Sequence, residues 1–175
     1  MIPQEKIRKR TKELRDKKAS PIDGWMDFKE LEWLHEQAAK MGTVVEIGAW
    51  KGRSTIALLR GCKGIVFVVD PWRNILGPYG EFMQNTAEFT HLVIFKMFSV
   101  QAADLFTAPV DMVFIDGNHE YESVRDDIKA WLPKTKKLIC GHDYEDPLAR
   151  GVKRAVDEVF GDVGTVSSIW YKWLT

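Results

Sequence analysis

The chain has 175 residues, 45% hydrophobic and 29% charged, which is the length of one domain and the composition of a chain that buries a core. Its 25 Lys and Arg balance its 25 Asp and Glu, so no global charge points to nucleic acid or to an acidic partner. No apolar run approaches the ~18 residues of a membrane span, and the N-terminus lacks the apolar stretch of a signal peptide. These features predict a cytoplasmic domain with Cys62 and Cys140 as reduced thiols.

Residues 1–20 carry a net charge of +5 and leave −5 for the remainder. Segment 1–23 is therefore read as a basic arm, a solvated or loosely docked helix, ahead of a domain over 24–175. Ile2, Ile7 and Leu14 are too few apolar anchors for a membrane-surface helix. From Asp27 the pattern sharpens. Asp27 with Glu30 reads as a helix start, Leu31, Leu34, Ala38 and Met41 as its apolar stripe, and Gly42 as its end.

Short apolar runs follow at 43–47, 65–69, 92–95, 112–115 and 138–140, separated by helical stretches at about 53–60, 80–89, 100–106, 121–132 and 149–160. In the fourth stretch Val124, Ile128, Trp131 and Leu132 form the stripe, while Asp126, Asp127 and Lys129 read as its solvated face. Strands apolar throughout, with helices between them, predict a doubly wound α/β fold. Its parallel sheet is covered on both faces and its functional loops share one edge. Segments 164–169 and 170–174 follow without a helix and predict a terminal antiparallel pair.

The first strand turns into a helix through Glu46-Ile47-Gly48-Ala49-Trp50-Lys51-Gly52-Arg53-Ser54-Thr55. A dinucleotide fingerprint needs glycine where this chain has Trp50 and Arg53. A P-loop needs four residues between its glycines, and here there are three. Glu46-x-Gly48-x-x-x-Gly52 instead fits a loop that holds S-adenosylmethionine, with Glu46 suited to the ammonium and the N–H groups around Gly52 and Ser54 to the carboxylate. Asp70, 24 positions after Glu46, ends the second strand where an acid accepts from both ribose hydroxyls. Ser99, read as ending the third strand, is placed near the adenine.

The next two strands end in Asp116-Gly117-Asn118-His119 and Gly141-His142-Asp143-Tyr144. If these strands are neighbours, Asp116 and Asp143 project from one edge, and two carboxylates in one cleft repel unless protonated or bridged by a cation such as Mg²⁺. His119 and His142 are each read as a general base, a metal ligand or an orienting group. Trp50, Trp72 and Tyr121 fall at the same edge, positioned to shield a sulfonium or stack on an acceptor. His35, His91 and Cys140 read as structural.

The chain resembles the class I S-adenosylmethionine-dependent methyltransferases, most closely the small bacterial group of macrocin-type sugar O-methyltransferases and cephalosporin hydroxylase-like proteins. The resemblance rests on the first-loop block over 44–54, Val69-Asp70-Pro71-Trp72, Phe114-Ile115-Asp116-Gly117-Asn118-His119-Glu120-Tyr121, Gly141-His142-Asp143-Tyr144 and Gly151-Val152-Lys153-Arg154-Ala155-Val156. It implies a Rossmann-like, mainly parallel seven-stranded sheet with an antiparallel last strand, and cofactor contacts at Glu46, Gly48, Asp70, Ser99 and Asp116. It also implies Mg²⁺ on Asp116 and Asp143. Two positions depart from the pattern: Tyr144 stands where a third ligand is expected, and Asn118 where some relatives place a basic Asp, which makes His119 the candidate base. Methyl transfer to a small-molecule or sugar hydroxyl follows as the expected reaction. The acceptor pocket would be closed by the basic arm, a loop at 76–84, or a second subunit of a homo-oligomer. A nucleotide-binding phosphotransfer enzyme and a cofactor-binding module without catalysis are the rival readings.

Overall fold

Asp27 opens the first helix reciprocally. Its carboxylate accepts the Glu30 backbone N–H at 3.0 Å, and the Glu30 carboxylate accepts the Asp27 N–H at 2.6 Å, a cap worth about 1 kcal/mol. This helix, α1 (Phe28–Ala38), ends before Met41, which is buried from the turn that follows rather than from the helical stripe. The computed structural model describes residues 22–73 and 76–174, so the helix expected in the basic arm lies outside the described residues.

After α1 come β1 (Thr43–Ile47), α2 (Arg53–Gly61), β2 (Ile65–Val69), α3 (Leu76–Thr86), β3 (Leu92–Phe95) and α4 (Ser99–Ala103). Then follow β4 (Val110–Ile115), α5 (Tyr121–Trp131), a 3₁₀ turn (Leu132–Lys134), β5 (Thr135–Gly141), α6 (Arg150–Phe160), β6 (Gly164–Val166) and β7 (Ile169–Trp173). The sheet order is β3-β2-β1-β4-β5-β7-β6. The first five strands are parallel and β7 runs antiparallel to both β5 and β6. The doubly wound, mainly parallel seven-stranded sheet is thus as expected. The order in which strands join the sheet reverses between β1 and β4, where such sheets open a crevice at their carboxyl ends.

The strand period of two divides the core. Val44, Val66, Met112, Phe114 and Leu138 pack with α1 and α2 on one face, and Val45, Val113, Ile115 and Ile139 pack with α5 and α6 on the other. Each fully buried aliphatic or aromatic side chain contributes about 1.5–3 kcal/mol. β5 is longer than its apolar run because it begins with the buried Thr135 and the exposed Lys136 and Lys137. The turn between β6 and β7 shortens both strands, with Ser167 at φ 52°.

Segment 76–84 corrects an expectation. It is helical, not a loop, and it lies beneath the first loop rather than over a cleft. Phe82 of α3 is fully buried, and a Cβ on Gly52 would sit 3.2 Å from its ring. Tyr79 and Phe82 both pack on Trp72, each with ring centroids 4.9 Å away. No helix among the described residues is long and apolar enough to cross a membrane.

Candidate active site

Backbone hydrogen bonds continue the ladder past the strand ends and draw the loops together. Gly48 donates to Val69 O at 2.9 Å, Asp116 to Ile47 O at 2.7 Å and His142 to Ile115 O at 3.1 Å. Gly48 has φ +81°, and a Cβ there would lie 2.1 Å from the Asp116 carbonyl oxygen. Only glycine lets the first and fourth loops approach this closely. The resulting cleft has a volume of about 800 Å³. Gly48, Ser54, Asp70, Ser99, Asp116, His119 and Asp143 all line it, whereas Glu46 and Gly52 do not.

Glu46 stands behind the loop. It is fully buried, shares the α2 face of β1, and its two carboxylate oxygens face the Ser54 and Thr55 hydroxyls. Burial pushes its pKa up to about 8 despite those hydroxyls, aided by the charges of Asp116 and Asp70. Burial thus favours its neutral form, and its contacts with the two hydroxyls pin the start of α2.

Asp70 organises the loop from the front. Its Oδ2 accepts the Ala49 and Trp50 N–H groups at 2.9 and 3.0 Å, and its Oδ1 accepts the Trp72 N–H at 2.7 Å. The Trp72 indole donates to the Trp50 carbonyl at 2.8 Å. These bonds hold Trp50 and Trp72 at φ 45° and 40°, a conformation costly for bulky residues. Trp50 lines the cleft, as expected, while Trp72 and Tyr121 do not: Trp72 is buried under the loop, and Tyr121 bonds Glu158 and stacks under Arg154.

Asp116 and Asp143 do come together, with two imidazoles between them. His119 Nε2 lies 3.0 Å from Asp143 Oδ2 and 3.9 Å from Asp116 Oδ1. His142 Nδ1 lies 3.1 Å from Asp143 Oδ1 and 3.8 Å from Asp116 Oδ1. Asp116 and Asp143 together raise the His119 pKa to about 10. Burial opposes charge on His142, but Asp143, Glu30 and the Asp116 charge outweigh it and bring its pKa to about 11. Burial likewise works against the Asp143 carboxylate, yet the two imidazoliums hold it well below the usual carboxylate range.

Three features of the cleft lie beyond what the motifs indicate. First, the buried Glu30 that caps α1 also places Oε1 3.2 Å from His142 Nε2 and accepts the Ser168 N–H at 2.8 Å. A capping box explains Glu30 locally, so nothing in the sequence links it to His142. Second, Gly24, Trp25 and Met26 form one wall, gripped by Arg53, whose guanidinium donates to the Met26 and Ile22 carbonyls. Third, Asp127 is not solvated. It is buried in the cleft, and desolvation lifts its pKa to about 6.

Asp116, His142 and Asp143 each offer one ligand atom, all within 4.8 Å of one another. Tyr144 turns away, its hydroxyl bonding Asp157 at 2.5 Å, so it is a His142 nitrogen and not Tyr144 that lies beside the two carboxylates. A ligating imidazole characteristically gives its other N–H to a carboxylate; Glu30 Oε1 lies 3.2 Å from the buried His142 Nε2, near enough for that pairing, although no hydrogen bond is formed there. The donor set therefore fits a divalent cation. Cys140, by contrast, is fully buried with its thiol pKa pushed up by desolvation, as an inert core residue would be.

Residues 45–144 match the family model described as a methyltransferase domain. The chain belongs to this family. The class I S-adenosylmethionine-dependent methyltransferase resemblance drawn from the motifs therefore holds. Similar folds include an O-methyltransferase from Bacillus cereus in complex with SAH, S-adenosylhomocysteine (16% identity, TM-score 0.68, covering 100% of this chain and 93% of that one). The O-methyltransferase NovP is likewise similar (19% identity, TM-score 0.67, covering 94% and 88%). So is an SAH-bound methyltransferase from Podospora anserina (11% identity, TM-score 0.67, covering 95% and 86%). A curated relative, the uncharacterized protein y4gI of Sinorhizobium fredii, is 28% identical over 145 residues, 71% of this chain. The alignment spans only 16% of that much longer protein.

Proposed function

We propose that this methyltransferase carries the methyl group of S-adenosylmethionine to a hydroxyl of a small molecule, with a divalent cation held by Asp116 and Asp143. The supporting observation is that one cleft gathers the Gly48 turn, the start of α2, the Asp70 carboxylate and the Asp116–His119–Asp143 cluster. S-adenosylmethionine, when bound, supplies a sulfonium-activated methyl group. Ser54, which lines the cleft at the start of α2, suits the ligand's carboxylate, as does the positive end of that helix. Asp70 retains about one lone-pair site beyond its three N–H bonds, which suits it to accept from a ribose hydroxyl. Ser99 and Phe98 wall the far end. Glu46 and Gly52 serve from behind, by holding α2 and by leaving room for Phe82.

At the opposite end Asp116, Asp143 and His142 would hold the cation, which, when bound, supplies charge that lowers the pKa of an adjacent hydroxyl. While Asp116 and Asp143 face it, His119 stays protonated at neutral pH; it accepts a proton from the acceptor only once those carboxylates are otherwise engaged. Rate enhancement would come chiefly from holding nucleophile, methyl and sulfur in line, an effect worth up to ~7–11 kcal/mol in intramolecular models. Leu148, 96% exposed at the cleft mouth, marks the side where the basic arm or a second subunit would close over the acceptor.

The phosphotransfer reading fits less well. A phosphate cradle needs free loop N–H groups, and those of Ala49 and Trp50 are already given to Asp70. The test is transfer of radiolabelled methyl from S-adenosylmethionine across phenols, sugars and hydroxy acids, with Mg²⁺ or with chelator. The reading predicts turnover of at least one hydroxyl, lost in Asp143→Ala. Transfer of labelled γ-phosphate from ATP, with no methyl transfer, would contradict it.

A further inference from the structure

Trp25 lines the cleft and is 81% exposed, the most open aromatic among the described residues. A lone exposed apolar residue is ordinary, but this one is fixed. The Ile22 and Met26 carbonyls, on either side of it, accept from the Arg53 guanidinium at 2.7 to 3.0 Å, and Met26 is itself buried. Gly24 lets this wall pass so near Arg53 that a Cβ there would lie 2.5 Å from the Arg53 Cδ. One side of the Trp25 indole meets Trp50, with ring centroids 4.8 Å apart and planes tilted by 34°. The rest of the ring is open. The wall runs on into α1, whose Glu30 carboxylate lies 3.2 Å from His142 Nε2, which brings it alongside the Asp116–Asp143 end of the cleft. Asp146 adds a further carboxylate to the lining. Among the described residues, the side-chain cations lining the cleft are already engaged: Arg53 by the two carbonyls, His119 and His142 by Asp143. An acceptor bearing its own negative charge would meet carboxylates here with no counter-charge to spare.

Resting on the S-adenosylmethionine reading, the structure assigns Trp25 as the residue that selects the acceptor, by laying its open indole face on an uncharged ring that carries the accepting hydroxyl. The negative face of an indole attracts the positive edge of an aromatic ring and the polarised C–H groups of a sugar ring alike. A linear polyol offers no such face, and an acid brings the wrong charge. An indole held on a fixed wall has only two side-chain torsions to order, so covering it costs little entropy. The rival role for Trp25 is a cover over the cofactor, because Trp50, which it touches, donates its backbone N–H to Asp70.

NMR and calorimetry on the S-adenosylhomocysteine complex separate the two roles, in chelator so that an acid gains nothing from a cation. The Trp25 indole N–H signal is identified by its loss in Trp25→Phe. Catechol and methyl glucopyranoside are the ring probes, protocatechuate and methyl glucuronide their acid counterparts, and glycerol the ringless polyol. At least one ring probe should move the Trp25 signal saturably, and which one does so tells an aromatic acceptor from a sugar. Its acid counterpart and glycerol should bind at least about tenfold more weakly. Trp25→Ala should weaken that probe about 3–10-fold, the range an aromatic contact supplies, with S-adenosylhomocysteine affinity kept within about twofold. Trp25→Phe should restore most of the probe affinity. A Trp25 signal that neither ring probe moves overturns the assignment, as does an acid that binds as well as its uncharged counterpart. So does a Trp25→Ala protein that loses affinity for S-adenosylhomocysteine and not for the probe, the signature of a cofactor cover. Wild type that binds no S-adenosylhomocysteine would instead remove the cofactor reading, and this inference with it.

Discussion

Asp143 lines the cleft and Glu46 stands behind its first loop, and their surroundings push the two carboxylates in opposite directions. Glu46 keeps its proton in the folded state up to about pH 8, whereas in the unfolded chain it ionises near 4.5. The unfolded state therefore sheds a proton first, and this residue makes the fold less stable as pH rises from about 4.5 to about 8, by a few kcal/mol at most. Glu46→Gln keeps the shape without the titration. The difference in melting temperature between variant and wild type should move in favour of the variant on going from pH 5 to pH 8.5; a constant difference would contradict this. The histidines carry the reverse sign. His119 is raised from 6.5 to about 10, so its ion pairs stabilise the fold below about pH 6.5 and their contribution fades as pH rises through 10. Asp143 is depressed, and its share is present above about pH 4 and lost in acid. Removing the charge in Asp143→Asn should lower the His119 titration midpoint, followed by imidazole NMR, by at least one unit, with no change being the contrary result.

At the level of elements, the turn from β1 into α2 decides whether the cleft exists. Gly48→Ala must place a Cβ 2.1 Å from a carbonyl oxygen at φ +81°, beyond the ~1–2 kcal/mol that a left-handed conformation alone costs. The expected outcome is a loss of several kcal/mol in denaturant unfolding; a loss under 1 kcal/mol would mean the two loops are not so closely apposed. The strands, helices and loops of this edge were legible in the sequence because buried parallel strands read as unbroken apolar runs, and because a chemically active loop must follow each one. Where reading failed, the cause was local sufficiency or period. Glu30 is fully explained by its cap, and its contact with His142 spans more than a hundred residues. Asp127 reads as solvated because it sits between Asp126 and Lys129 in a charged run, yet it stands three residues after Val124 and four before Trp131, on the buried stripe itself. Segment 76–84 contains Gly77, Pro78 and Gly80, which read as a loop, yet Phe82 and Tyr79 anchor it as a helix against Trp72.

Across the whole molecule, the sheet places five loops on one edge, and Asp70 is the point at which fold and ligand reading meet. It ties the β1 and β2 loops through three backbone N–H bonds and offers its remaining acceptor capacity to the cleft. Membership of the methyltransferase-domain family and the seven-stranded sheet agree with that placement. The most direct measurement is a calorimetric titration of the purified chain with S-adenosylhomocysteine, repeated on Asp70→Ala whose fold has been checked by circular dichroism. Saturable micromolar binding in wild type, lost in a folded Asp70→Ala, is the predicted result. Wild-type protein that gives no heat with S-adenosylhomocysteine, with or without Mg²⁺, would contradict the assignment of the cleft.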